Sequence, residues 1–411
     1  MLNPNSLEEF KNWWNQFPVQ LKLIAQIRFL GSFGAGGVIY LTSLIFNNIG
    51  LTATEIGFGF TLSAIAGTAT RLFTGKHLNK NKNIWPPIII SSLLSISSSI
   101  LLLFSKDIIT YSIGQALIGA AAGVYWPSVE IAVPYYCYPI KTVKAYALAR
   151  SSEALGIFLG VFTGSFFSSI LFSKAVFLND ILCMVFILIL ITNNNYFTKA
   201  LNKDHNTSLP NSEELIQRKW NKNSFIIFLS IILLTTCQAL IQVTLPLDFV
   251  KGGINRIAIS ANSTSYIISL QLFILFLFQW PIGSWLSSKG QLYGLKFSLF
   301  NFFFSTFLLF LSGYFHYTGI VLMLLAIIFC CIGISSFLPV CTDIVFKLAP
   351  IHKKGFALAL LSQCFAIGYF FGPLISGSIL DYYGFASIIW GSISALCLVS
   401  LILLFKKELK Y

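Results

Sequence analysis

Arg150 and Glu153 stand three residues apart, the spacing at which two side chains on one helix face can pair. Glu153 also lies nine residues beyond Lys144 in an otherwise apolar run, roughly 13 Å along a helix axis. Glutamate is too short to reach back to water over that distance, so its carboxylate must be paired, protonated or open to an internal cavity. A charge at such depth costs roughly 2.5–3.5 kcal/mol on insertion scales, which makes it a candidate proton or substrate site. Glu130 shares a helical stripe with Gln115, Gly119 and Trp126, and a polar stripe on an apolar helix normally faces inward. Gln238 and Gln242, one turn apart, form a weaker pair that Gln271 could face. Arg28 and Arg71 lie six and five residues from Lys22 and Lys76, close enough to snorkel to the interface. Their readings, structural and functional, stand level. Asp343, four residues before Lys347, reads as nearly at the surface.

The elements that position these groups follow from composition. Of 411 residues, 56% are hydrophobic and 10% charged, against roughly 25% charged in soluble domains. Charge-free runs such as 88–104, 297–315 and 385–405 approach the roughly 20 residues that span a hydrocarbon core, and in lipid such runs must be helices. Polar breaks place spans near 21–48, 54–75, 86–104, 108–137, 143–171 and 175–192. A second set falls near 224–250, 261–286, 292–315, 318–346, 355–380 and 384–405. The fold class is an all-α membrane protein: twelve transmembrane helices in two six-helix bundles, residues 1–192 and 224–411, joined by a cytoplasmic linker at 193–223. Acids at Glu8 and Glu9 argue against a signal peptide. Leu7, Phe10, Trp13, Trp14 and Phe17 predict a short interfacial helix before the first span.

The net charge of +13 does not point to nucleic acid, because the lysines sit in short clusters between apolar runs. With the N-terminus inside, the outer loops hold only Lys106, Lys174, Lys251 and Arg256. Arg28, Arg71 and Arg150 fall within spans, and the rest of the 27 basic residues fall on the inner side. That bias predicts a multi-pass protein of the cytoplasmic membrane with both termini cytoplasmic. The eight cysteines lack CxxC spacing and read as packing residues, and the four histidines fall in loops. No metal site is expected. No nucleotide loop, HExxH or GxSxG pattern occurs, so neither a cofactor nor enzymatic chemistry is expected.

The two halves resemble each other. Lys144-Ala145-Tyr146-Ala147-Leu148-Ala149 leads to Gly156, Gly160 and Gly164, and Lys354-Gly355-Phe356-Ala357-Leu358-Ala359 leads to Gly368, Gly372-Pro373 and Gly377. Two parallel repeats imply a pseudo-two-fold axis along the membrane normal. Glycines four apart let a neighbouring helix approach closely, a packing role that could also serve gating.

The stretch from Lys353 through Gly372-Pro373 and Gly377 to Asp381 and Gly384 resembles the major facilitator superfamily, and the likeness extends over essentially the whole chain. The span holding Gly156, Gly160, Val161, Gly164 and Ser165 is similar to that family's antiporter motif, with Val161 in place of proline. The Gly75-to-Lys82 loop resembles its cytoplasmic loop motif, with Asn79 for aspartate and Lys80 for arginine. Gln115 stands where members often carry arginine, and Gly283 opens a second-half loop copy without its acid. The resemblance implies a secondary active transporter working by alternating access on a small-molecule substrate in the lipid bilayer, with protons as coupling ion and no nucleic-acid partner. It implies a monomer, an antiporter, and a cytoplasmic gate at Gly75, Lys80 and Asp343; few buried charges and many phenylalanines lean toward a neutral or amphiphilic compound, and toward efflux over uptake. The alternative on this scaffold is a non-transport protein, such as an assembly factor for a pigment–protein complex.

Overall fold

A computed structural model describes residues 12–81, 83–140, 142–170, 174–193, 222–286, 289–348 and 354–406. Twelve long helices account for most of them. They are α1 (Val19–Ile49), α2 (Ala53–Asn81), α3 (Trp85–Phe104), α4 (Ile108–Tyr136), α5 (Thr142–Ile170), α6 (Ala175–Asn193), α7 (Lys222–Lys251), α8 (Ala261–Leu286), α9 (Gln291–Ser312), α10 (Tyr317–Leu348), α11 (Lys354–Tyr383) and α12 (Ser387–Lys406). Eleven are long and apolar enough to cross a membrane; α5, with Lys144, Arg150 and Glu153, lies outside that set yet packs along α1 like the others. The second span was expected to stop near residue 75, but α2 continues to Asn81. Apolarity measures the lipid-crossing length, whereas hydrogen bonding carries the helix past it. Most of the predicted interfacial segment and residues 194–221 of the predicted linker lie outside the described residues. Trp13 and Phe17 are in ring contact at 5.1 Å, with Phe17 buried.

Local chemistry sets the sharp turns that keep the helices antiparallel. Gly50 ends α1 in the left-handed region (φ 108°), where its N–H reaches the Asn47 carbonyl at 3.1 Å. Thr52 and Glu55 then form a reciprocal capping box at the start of α2, with Thr52 N–H donating to Glu55 at 2.8 Å and Glu55 N–H to Thr52 Oγ1 at 3.2 Å. Asp107 caps α4 by accepting from the N–H groups of Ile109 and Thr110, both at 2.9 Å.

In the first half α1 lies against α5 and α6, and α4 lies between α2 and α3; in the second, α7 lies against α11, and α9 joins α10 and α12. Helix backbones meet where side chains are absent. A Cβ on Gly156 would stand 2.5 Å from the Phe29 carbonyl oxygen, and one on Gly160 would overlap that of Phe33, so α5 rides directly on α1. Gly368 makes the corresponding approach of α11 to α7, at 2.8 Å from the Thr235 backbone. These seams carry the predicted packing role of the glycines. Gly164 packs its face against Val176 and Leu41, while Gly372 is only in ordinary contact with α7.

The halves meet through α2–α11, α5–α8 and α1–α7. Because helices alternate in direction, the ends of α1, α3, α5 and the starts of α2, α4, α6 share one membrane side, here the far side; the start of α1 and the end of α12 lie on the other, the terminal side. Asp381 of α11 accepts from the N–H groups of Ala53 and Thr54 at 3.1 and 2.7 Å, placing a carboxylate on the positive end of α2. Lys251 pairs with the same carboxylate at 2.8 Å. Gly57 abuts the Pro373 carbonyl, Gly377 abuts Ala53, and Ser165 meets Ser269 at 3.1 Å. At mid-depth the Phe158 and Phe273 rings touch at 5.2 Å. The described hydrogen bonds and ring contacts between the halves all lie from mid-depth to the far side.

Candidate functional site

Four charged side chains from three helices converge in the terminal-side part of the first half. Arg28 of α1 donates through Nη2 to Glu130 Oε1 of α4 and to Glu153 Oε2 of α5, both at 2.7 Å, and its Nε reaches Glu153 at 3.0 Å. Arg150 of α5 binds the same two carboxylates, Glu130 at 2.7 Å and Glu153 at 3.0 Å. Each arginine therefore bridges both acids, and the tetrad carries no net charge. The snorkelling assignment for Arg28 is corrected here: its side chain is 0% exposed. Residues 24 and 27 pack in the apolar core around it, so the guanidinium turns inward, where two carboxylates stand. Charge-assisted contacts of this length are the strong class of hydrogen bond.

Sequence and packing explain why the four meet. Gly156 and Gly160 bring α5 onto the Phe29–Phe33 turns of α1, and Glu153 lies one turn before Gly156 on the same side. That close approach sets Arg28 beside Glu153. Trp126, one turn before Glu130, lies over the guanidinium with 5.7 Å to the ring. Tyr146, one turn before Arg150, donates to the Glu130 carbonyl at 3.3 Å. Burial is graded across the tetrad: Glu153 is 16% exposed, Glu130 30% and Arg150 36%. Glu130 and Arg150 thus form the accessible face and Arg28 the buried base. One nitrogen of that base, Nη1, is buried without a hydrogen-bond partner.

The remaining predicted residues fall in three places. Gln115 is buried in the same helix as Glu130 but about 22 Å away along the axis, so the stripe does not make one site. Gln242 of α7 donates to Tyr40 of α1 at 3.0 Å and accepts from Tyr369 of α11, a polar tie between the halves beyond mid-depth. Gln271 does not face Gln238 and Gln242 as expected. Its side-chain amide N–H points to Cys330 Sγ at 3.8 Å, and its backbone carbonyl accepts from Cys331 Sγ at 3.2 Å, because α8 turns that face to α10. Gln238 keeps a buried carbonyl oxygen with no partner. Arg71 is half-buried in α2, Gly75 has open space beside it, and the Lys80 and Asp343 side chains lie outside the described residues.

Three groups escaped the sequence reading. Tyr40 and Tyr369 complete the Gln242 tie. Asp180 of α6 is fully buried, taking hydrogen bonds from Ser95 at 2.8 Å and Ser99 at 2.7 Å of α3. Asp248 pairs with Arg256 at 3.0 Å and accepts from Trp390 at 3.1 Å, pinning the α7–α8 loop to α12. An acid inside an apolar run was the available signal for Asp180 and Asp248. Among the described residues the second half shows no copy of the tetrad: Gln363 stands nine residues after Lys354, as Glu153 does after Lys144, and Phe365 stands one turn before Gly368, as Glu153 does before Gly156. Among the described residues no group of three or more metal-ligating side chains converges.

With this geometry in view, comparison with known proteins is direct. Residues 24–252 and 227–410 match the family model described as the Major Facilitator Superfamily. A search of curated proteins returns no match. Among solved structures, the nucleoside transporter NupG superposes with a TM-score of 0.69 at 16% identity, covering 95% of this chain and all of that one. A POT family transporter in complex with 5-aminolevulinic acid gives 0.75 at 13% identity, covering 94% of this chain and 96% of that one. The peptide transporter POT in complex with sulfate gives 0.72 at 14%, covering 95% and 94%. At these identities the likeness is one of fold.

Proposed function

The chain belongs to the Major Facilitator Superfamily, and from that premise we propose that it is a secondary transporter that carries a small solute across a membrane by alternating access. The observation that carries this reading is the disposition of the tetrad relative to the contacts between halves. Hydrogen bonds and close backbone approaches tie the halves together on the far side, while two carboxylates and Arg150 keep partial exposure on the terminal side. A charged group held within a bundle and open to one side only is what a solute or proton site requires.

Coupling follows from the sharing of charges. Each carboxylate is held by both arginines, so a proton on either one leaves the site with a net positive charge and changes what it can bind. Solute and proton then compete for the same carboxylates, which favours exchange, an antiport cycle, over co-transport. Glu153, the more buried acid, is the proposed proton carrier, with Glu130 the next candidate.

The test is proton-driven flux in liposomes. Glu153→Gln keeps the shape and removes the titration, so solute binding persists while gradient-driven flux falls to the unpowered level. Unchanged flux removes Glu153 from the coupling. A cysteine pair replacing Ser165 and Ser269 should lock the far side on oxidation, stop flux, and release it on reduction. Flux that survives the cross-link overturns alternating access, and a stable pigment–protein partner without flux points to an assembly role instead.

A further inference from the structure

We propose that the exposed face of the tetrad, Arg150 with Glu130, is a recognition site for zwitterionic solutes carrying an ammonium and a carboxylate a few bonds apart. The proposal rests on the transporter reading above and names the solute class that its site would take.

Charge conservation at a half-buried site decides which solutes fit. Two arginines and two glutamates balance, and the shortest contact of each arginine with each acid lies between 2.7 and 3.0 Å. A solute with a single negative charge could take Arg150 only by pulling it from Glu130, leaving that carboxylate with one partner and the site with a net charge. A single positive charge would do the same to Arg150. Losing one partner leaves an uncompensated charge in this half-buried pair, whereas exchanging partners does not. A zwitterion exchanges both: its carboxylate replaces Glu130 on Arg150, its ammonium replaces Arg150 on Glu130, and the sum stays zero. Arg28 and Glu153 remain paired beneath, so the floor of the site persists during exchange. Trp126, half-buried beside Glu130 and in edge contact with Tyr125 at 5.2 Å, supplies an apolar wall for the rest of the solute.

Graded exposure points the same way. Arg150 and Glu130 are the two most accessible members, and they contact each other through a single 2.7 Å link. Opening that one link creates an acceptor and a donor site side by side. The buried Nη1 of Arg28, without a partner, offers a further donor to a carboxylate that reaches past the link.

The experiment uses one side chain in three charge states. Purified full-length protein is titrated with L-phenylalanine, its cationic amide and its N-acetyl anion, and binding is read by thermal shift. The same triplets are run on the dipeptide phenylalanyl-glycine and on 5-aminopentanoic acid. The zwitterion of at least one triplet should stabilise at concentrations at least tenfold below either mono-ion. Glu130→Gln, which leaves a net positive site, should reverse the preference toward the N-acetyl anion, and Arg150→Gln toward the amide cation. Arg150→Lys, which keeps the charge, should retain the zwitterion preference and guards against a variant that merely misfolds. Equal or tighter binding of a mono-ion to the natural protein overturns the proposal, as does the absence of a shift with any zwitterion. Zwitterion binding without liposome flux leaves the site standing and overturns the transport reading; flux of a mono-ion does the reverse.

Discussion

Replacing Arg28 by methionine removes the buried base of the tetrad while keeping its volume roughly filled. Three contacts go, at 2.7, 2.7 and 3.0 Å. Hydrogen bonds to charged groups contribute about 1.5–3 kcal/mol each, and breaking a buried pair from one side costs about 3–5 kcal/mol. Arg150 still holds both carboxylates, which places the expected loss near the lower end, about 3 kcal/mol. The double variant Arg28→Met with Glu153→Leu removes one charge of each sign and leaves Glu130 paired with Arg150. It should cost less than about 1 kcal/mol, because an apolar replacement of a buried pair is often neutral. The cycle is completed by Glu153→Leu alone, and the coupling energy should be about 2 kcal/mol or more. Reversible unfolding in mixed micelles, followed by tryptophan fluorescence, supplies the four free energies. If Arg28→Met costs less than about 1 kcal/mol, or if the double variant loses the full sum of the singles, the tetrad is not a desolvated, mutually dependent unit. The solute-class argument then fails with it.

Other expected outcomes follow from packing and topology. Gly160→Ala drives a methyl into the Phe33 carbonyl and should cost about 1–3 kcal/mol in the same unfolding assay, whereas Gly75→Ala, with open space around it, should be neutral. Tyr40→Phe removes the acceptor of the Gln242 hydrogen bond that crosses between the halves, a loss of about 1 kcal/mol or roughly fivefold in equilibrium. Spin labels at Asn48 and Tyr382, both exposed on the far side, should then report a larger share of long distances; an unchanged distribution refutes a gating role for the tie. The charge bias predicts a cytoplasmic linker, so a cysteine at Ser208 should resist impermeant thiol reagents in intact cells. Ready labelling would invert the map.

The helices were legible because lipid leaves so few options. A run without charges that is long enough to cross must be hydrogen-bonded within itself, so α1 and α3 to α8 fall within a few residues of their apolar runs. Glu130 and Glu153 were legible for the same reason: depth along one helix is a local property that spacing from Lys141 and Lys144 can measure. Arg28 was misread by the same rule. Its distance from Lys22 allowed it to snorkel, but its partners stand 102 and 125 residues away in sequence. Nothing in the spacing of a single helix says that two others will present carboxylates to it. Gln271 failed likewise, since the face it shows was decided by α10. Asp180 was hidden because one carboxylate hardly lowers the mean hydropathy of α6, at 2.5, and its compensation comes from serines on another helix.

The glycines connect what was legible with what was not. Their spacing on α5 announced a close neighbour without saying which. Once the neighbour is α1, the register follows: Gly156 meets Phe29, Gly160 meets Phe33, and the residue one turn before Gly156 must meet the residue just before Phe29. That residue pair is Glu153 and Arg28. The second half has the matching seam at Gly368 against Thr235, yet Phe365 stands one turn before that glycine, where Glu153 precedes Gly156. Similar backbone seams therefore carry a charge beside the glycine in one half and an aromatic ring in the other. On the proposed function, the paired halves supply the frame for motion, and the tetrad beside the seam of the first half supplies the site where a proton or a solute would bind.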